Sequence, residues 1–311
     1  MRDASTVRPT LATILLTATA MLAFAANSLL CRAALQHDRI DPASFSAIRL
    51  ASGAAMLVLL VRLRRRRADT AGASSTTGAA GAVAADRQRG GDWRAAAMLF
   101  AYVACFSFAY LTLPAGTGAL ILFGTVQLTM SGAGFAAGER LLRSGWLGLA
   151  LAAGGLVYLL LPGVAAPSPA GTALMALAGA AWGGYSLRGR GVPDPLLASA
   201  ANFVRAAPMG ILLGLVFIAR AHLDGGGVAL ALASGALTSG LGYVVWYAAL
   251  PRLAALQAAA VQLSVPLIAT AGGVLLLGEA FTARLALAAL AIIGGIALVL
   301  RSRAGPRAGR A

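Results

Sequence analysis

Long apolar runs, each about the length of a bilayer-crossing helix and each closed by a short polar or proline-bearing break, repeat along the whole chain. The runs are continuous rather than alternating. That favours helices over the strands of a β-barrel, because backbone exposed to lipid must satisfy its own hydrogen bonds. The pattern predicts ten helices, over residues 10–33, 43–63, 93–113, 116–138, 145–161, 170–188, 195–219, 227–250, 253–277 and 283–301. Breaks fall at Asp41-Pro42, Pro114, the stretch from Pro162 to Pro169, Pro193-Asp194-Pro195, Asp224-Gly225-Gly226 and Pro251. Residues 64–92 open with an arginine cluster and continue through Ala, Gly, Ser and Thr without apolar periodicity, as a flexible cytoplasmic linker does. The first run follows Arg2 and Arg8 and contains Ala23-Phe24-Ala25, the form of a signal-peptidase site. It continues past that site to spanning length, so it is read as a retained helix.

A duplication organises these runs. Gly138-Glu139 and Gly154-Gly155 lie 16 residues apart, Gly278-Glu279 and Gly294-Gly295 likewise, and each motif is 140 residues from its counterpart. Nearer the ends of the two halves, Arg32 pairs with Arg188 and Ile48-Arg49 with Val204-Arg205 at an offset of 156, whereas Tyr110 and Leu113-Pro114 pair with Tyr247 and Leu250-Pro251 at 137. The linker absorbs the difference. The chain is therefore expected to hold two units, residues 1–162 and 163–311. With five helices per unit, an odd number, the second copy enters the membrane from the opposite side. Such inverted repeats are the architecture of alternating access.

Composition narrows the class further. The chain is 59% hydrophobic and 11% charged, with mean hydropathy +0.81. Its net charge of +15 comes entirely with arginine, without lysine and without aromatic interleaving in a soluble domain, so nucleic acid is not an expected partner. If both termini are cytoplasmic, only Arg32, Arg39, Arg220 and Arg284 fall on the outer side, Arg49 and Arg205 lie within spans, and all others are cytoplasmic, as the positive-inside rule requires. Cys31 and Cys105 sit in apolar spans and read as small buried hydrophobes. Abundant Arg, Ala and Gly beside absent Lys suggest a GC-rich bacterial gene, hence a bacterial inner membrane.

At this point the chain resembles the drug/metabolite transporter superfamily, in particular the ten-helix EamA family. The residues that carry the resemblance are Gly138-Glu139, Gly278-Glu279, the two Gly-Gly pairs, Trp182-Gly183, Arg49 and Arg205. Where that family often has Trp-Gly in its first helix, this chain has Ala25-Ala26-Asn27. Members export amino acids, other metabolites and drugs; in size and cavity chemistry the chain looks most like aromatic amino-acid exporters of the YddG type. The resemblance implies a basket in which helices 1–4 and 6–9 surround a central cavity while helices 5 and 10 stay peripheral.

Intramembrane charge is scarce. All acidic residues fall at helix ends or in loops, as do His37 and His222, so neither a buried carboxylate for a cationic drug nor an obvious proton relay is present. A neutral or zwitterionic cargo moved by facilitated diffusion fits this better than proton coupling. Candidate substrate-binding residues are the polar and aromatic side chains stranded within spans: Asn27, Ser28, Tyr102, Tyr110, Gln127, Trp182, Tyr185, Ser239, Tyr243, Trp246, Gln257 and Gln262. Ser239, Tyr243, Trp246 and Tyr247 follow helical spacing, and aromatic faces suit an aromatic side chain or an ammonium group. Pro266 frees the carbonyl of Gln262, either as a kink satisfied by a neighbouring helix or as a substrate acceptor. Arg49 and Arg205 read as structural clamps in preference to binders of a substrate carboxylate. Glu139 and Glu279, at helix C-termini where the helix dipole disfavours an anion, read as gating or pivot residues neutralised by Arg140, Arg143 or Arg284.

The expected function is export of small neutral metabolites, aromatic and other hydrophobic amino acids foremost, with drugs or nucleobases, possible proton coupling included, as the alternative. The expected partners are that small molecule and the bilayer, with a monomer or weak homodimer as the assembly. No metal or cofactor is called for. An enzyme would need a cluster of His, Asp, Glu or an activated nucleophile inside a span, and no span carries one.

Overall fold

Proline and short acceptor side chains start most of the helices. A computed structural model of the chain describes residues 11–70, 92–136, 142–161, 166–189, 192–249, 261–262 and 264–302. The helices are α1 (Leu11–Leu35), α2 (Pro42–Thr70), α3 (Trp93–Ala109), α4 (Ala115–Ala136), α5 (Arg143–Leu160), α6 (Pro169–Arg188) and α7 (Pro195–Val216). A 3-10 turn, Ile218–Arg220, leads into α8, which runs as Gly225–Ala233, a π-helical stretch Ser234–Leu241 and Gly242–Ala249; α9 (Ser264–Leu277) and α10 (Ala283–Ser302) follow. Asp41, Asp92, Ser168, Asp194 and Asp224 each accept from a backbone N–H in the first turn of α2, α3, α6, α7 and α8. Pro42, Pro169 and Pro195 follow three of them at the first helical position, where a missing N–H costs nothing.

Three boundaries differ from expectation by three residues or more, and residues 253–260, expected to open the ninth helix, lie outside the described residues. Helix α3 ends at Ala109 rather than 113, its chain leaving in a turn ahead of Pro114, which disfavours helix in the residue before it. Helix α2 does not stop at residue 63; it carries its arginine cluster on through Arg67 to Thr70, because Arg and Ala are good helix formers and no proline or glycine intervenes before Gly72. Helix α7 ends at Val216 rather than 219, its last turn tightening to 3-10 form.

Ten helices and no strand occur among the described residues, apart from an isolated bridge between Ile40 and Leu223. Four of the spans, Leu11–Leu35, Pro42–Arg67, Pro195–Val216 and Gly225–Trp246, are individually long and apolar enough to cross a membrane. Large apolar side chains point outward all around, including Leu15, Leu22, Leu212, Leu275 and Leu290. A water-soluble fold would hide them; here they form the lipid-facing surface of a multi-pass membrane protein.

Small residues set the closest approaches. Helices α5 and α10 pack mainly on each other: a Cβ on Gly148 would lie 2.5 Å from the Gly295 carbonyl oxygen, and one on Gly295 would lie 2.5 Å from that of Gly148. Gly155 is closed off by Ala291 and Ile292, whereas Gly154 and Gly294 have nothing within 4 Å. The remaining principal pairings are α2 with α7, α3 with α6, α8 with α1, α4 with α6, α9 with α1, α2 with α8, α7 with α3, and α4 with α9.

Candidate functional site

The polar interior begins with a register change in α8. At 100° per residue Ser234 and Ser239 would stand about 140° apart on an α-helix. In the wider π turn, with its i→i+5 bonds, residues five apart come nearer to one line. The change is permitted where Gly235 lies flat against the backbone of Arg49 and the side chain of Ser52, contacts any Cβ would destroy. Ser234, Thr238 and Ser239 consequently face α1 and α2 together. The Asn27 side-chain oxygen accepts from Ser234 Oγ at 2.6 Å and Thr238 Oγ1 at 3.1 Å. Its amide nitrogen donates to Tyr102 Oη at 3.4 Å.

Arg49 occupies the centre of this network and is only 1% exposed. Its Nη2 donates to Tyr102 Oη at 3.1 Å and its Nε to Ser239 Oγ at 3.2 Å. The guanidinium carbon stands 5.1 Å from the Tyr102 ring centroid and 5.0 Å from that of Phe106, within cation–π range. Nη1 is buried and has no hydrogen-bond partner. Arginine keeps its charge in any protein environment, so among the described residues this is a cation in the interior held by neutral groups.

Aromatic rings complete the wall. Trp182 is the hub, with ring centroids 4.9 Å from Tyr102, 5.2 Å from Tyr243 and 5.6 Å from Tyr185. Phe24 meets Tyr243 edge-on at 6.0 Å. Phe24, Tyr102, Trp182 and Tyr243, together with Phe106, Phe123, Leu122, Asn27, Ser28, Arg49, Thr238 and Ser239, enclose a cavity of about 20 Å³. That is room for a water molecule; anything the size of an amino acid requires the walls to separate.

A second cluster closes one end of the bundle. Arg32, in the last turn of α1, donates from Nε to Glu279 at 3.2 Å and from Nη1 to the carbonyls of Tyr110 and Leu111 at 2.9 and 3.2 Å. Glu279 accepts in turn from Ala115 N–H, the first residue of α4, at 2.8 Å. Gly278, at φ +66°, ends α9 and aims the carboxylate there. The anion thus sits at the N-terminus of α4, where the helix dipole favours it. Arg284, expected as a partner, donates instead to the Leu161 carbonyl. At the opposite end Arg188 pairs with Asp92 at 2.8 Å and Arg64 with Asp194. Burial raises the pKa of both aspartates. The N–H of Ala95 and then Arg188 outweigh that at Asp92, as Arg64 and the N–H of Leu197 do at Asp194, so both end below the ordinary value.

Of the candidate binding residues, Asn27, Ser28, Tyr102, Trp182, Ser239 and Tyr243 line the cavity, and Tyr185 backs Trp182. Tyr110 belongs to the closed end: fully buried, it donates to the Ala115 carbonyl at 3.2 Å. Trp246 packs edge-on against Phe24 outside the lining. Gln127 and Gln262 are half-buried and also outside it. Pro266 is buried in α9, its carbonyl accepting from Thr270. Arg205 donates to the Ala201 carbonyl of its own helix and stacks over Trp93, remote from its repeat counterpart Arg49 in environment. Glu139 and Gln257 lie outside the described residues. Phe24, Phe106, Phe123 and Ser234 were not expected at the site from sequence, and Arg32 was noted only as a repeat mate and an outer-side charge; a Phe in an apolar run looks the same whether it faces lipid or cavity.

A helical, lipid-faced bundle with a buried polar and aromatic centre defines a multi-pass membrane protein. The model of the EamA-like transporter family matches residues 169–301, helices α6 to α10. The chain belongs to the EamA-like transporter family, whose members move small molecules across membranes. It is 55% identical over 299 residues to the uncharacterized protein PA1977 of Pseudomonas aeruginosa, covering 96% of each chain. It is also similar to a protein of known crystal structure at 19% identity and TM-score 0.60, covering 92% of this chain and 96% of the other, a likeness of fold.

Proposed function

We propose that this protein is an exporter of the bacterial inner membrane, its termini cytoplasmic, that carries aromatic and other hydrophobic amino acids by facilitated alternating access. The observation that carries this reading is the central cavity, whose wall joins Phe24, Tyr102, Phe106 and Phe123 from the first half of the chain to Trp182 and Tyr243 from the second. Rings at these positions offer a planar side chain apolar area on several faces, and the polar network beside them offers hydrogen bonds to its backbone end.

Support for two inverted units, residues 1–162 and 163–311, comes from the pairing of helices. Exchanging α1–α5 for α6–α10 turns α3–α6 into α8–α1, α4–α6 into α9–α1 and α2–α8 into α7–α3, and leaves α2–α7, α4–α9 and α5–α10 unchanged. Every principal contact therefore has a mate. A bundle with that pseudo-symmetry has two nearly equivalent ways to close, one at each end. The Arg32–Glu279 cluster is the closure at one of them.

Uptake of labelled phenylalanine into liposomes containing the purified protein tests the proposal. Saturable flux indifferent to an imposed pH gradient is expected. Absence of saturable flux for any hydrophobic amino acid removes the substrate assignment, and flux that follows the gradient replaces facilitation by proton coupling.

A further inference from the structure

We infer that Arg49 is the receptor for a substrate carboxylate, and that the site selects monocarboxylate anions bearing an apolar or aromatic group, with or without an α-amino group. The inference rests on the reading above that the central cavity is the transport site. Two observations carry it. Arg49 is 1% exposed and lines the cavity, and its Nη1 has no hydrogen-bond partner. Among the described residues no Asp or Glu lines the cavity with it, and Glu279 is taken up by Arg32 and Ala115.

A buried structural arginine is normally matched to a carboxylate or saturated with carbonyl oxygens, because an uncompensated charge in a membrane interior is costly. Arg49 has two hydroxyls, two ring faces and a free N–H edge. A water in the cavity satisfies the hydrogen bond but leaves the charge. A carboxylate satisfies both, and the planar guanidinium is shaped to receive it. Tyr102 and Ser239 then act as positioning residues that fix the guanidinium plane.

The described lining of the cavity holds no anionic side chain to receive an ammonium. Zwitterionic amino acids bind through the carboxylate, and an α-amino group adds little. Loss of the carboxylate removes the one ionic contact on offer, so amines are rejected. This refines the expectation of a neutral or zwitterionic cargo, since the charge held by the site is positive.

The test uses the full chain in lipid nanodiscs and three probes of one aromatic size: phenylalanine, 3-phenylpropionate, which lacks the amino group, and phenethylamine, which lacks the carboxylate. Binding is followed calorimetrically. The inference predicts that 3-phenylpropionate binds at least as tightly as phenylalanine and that phenethylamine binds at least about ten-fold more weakly. In Arg49→Gln the preference for carboxylate over amine disappears, while Arg49→Lys retains part of it. If Arg49→Gln does not fold, the probe series on the wild-type protein decides alone. Comparable binding of phenethylamine, no binding of any probe, or 3-phenylpropionate binding unchanged by Arg49→Gln overturns the inference. Phenylalanine flux that is equal in wild type and Arg49→Gln leaves the transport reading standing and overturns this one. Carboxylate binding that depends on Arg49 without any amino-acid flux does the reverse.

Discussion

Removing the carboxylate of Glu279 should loosen one end of the bundle by an amount that the geometry allows to be estimated. Arg32 and Glu279 are 18% and 10% exposed in their side chains and 3.2 Å apart. Breaking a fully buried pair costs about 3–5 kcal/mol, chiefly through the charge left behind. Here Arg32 keeps the carbonyls of Tyr110 and Leu111 and some contact with solvent, which lowers the cost to about 2–3 kcal/mol, the worth of one strong charge-assisted bond. For Glu279→Gln, whose amide oxygen still accepts from Ala115, thermal unfolding in detergent should show Tm lower by roughly 4–8 °C. A double-mutant cycle with Arg32→Gln isolates the pair: the two losses should fall short of additivity by at least about 1 kcal/mol. Additive losses, or a Glu279→Gln protein as stable as wild type, would refute the account of this end of the molecule.

Other consequences are open to measurement. Gly295→Val places methyl groups against the Gly148 carbonyl and should lower Tm sharply, by about 2 kcal/mol or more of stability, without altering the order of substrate preference. Asp92→Ala removes the α3 cap and should cost about 1 kcal/mol, while Asp92→Asn, which keeps the cap, should cost less. Because Asp92 and Asp194 have lowered carboxyl pKa values in the folded protein, their contribution is present above about pH 4 and is lost as pH falls through those lowered values. An acid titration of Tm should therefore be shallower for Asp194→Asn than for wild type. Arg205→Gln, which disturbs a bond to its own helix, should leave transport largely intact, whereas Arg49→Gln should reduce it at least about ten-fold; equal losses would contradict the different environments of the two arginines.

What was legible beforehand divides along physical lines. Helix number and most boundaries could be read because they depend on local signals: apolar length, and breaks such as Asp41-Pro42, Pro193-Asp194-Pro195 and Asp224-Gly225-Gly226. The Gly154-Gly155 and Gly294-Gly295 motifs were legible as a repeat, but not which glycine would be packed: Gly155 and Gly295 are enclosed while Gly154 and Gly294 stand open. Repeat symmetry pairs Arg49 with Arg205, but equal register does not give equal surroundings; one meets Tyr102 and Phe106, the other Trp93. The π-helical stretch of α8 escaped entirely. It arises from tertiary contact of Gly235 with Arg49 and Ser52, and with it came the alignment of Ser234, Thr238 and Ser239 on Asn27 and Arg49. The partner of Glu279 was missed for a similar reason, because Arg32 lies 247 residues away in the chain.

The central claim is that one cavity, built by both halves and lined around Trp182, is reached alternately from each side of the membrane. Counterflow tests it most directly: liposomes loaded with unlabelled phenylalanine should accumulate labelled phenylalanine transiently and faster than empty ones, and Trp182→Ala should abolish the effect while leaving the protein folded. Uptake that rises linearly with concentration, is indifferent to phenylalanine inside, or survives Trp182→Ala unchanged would contradict it.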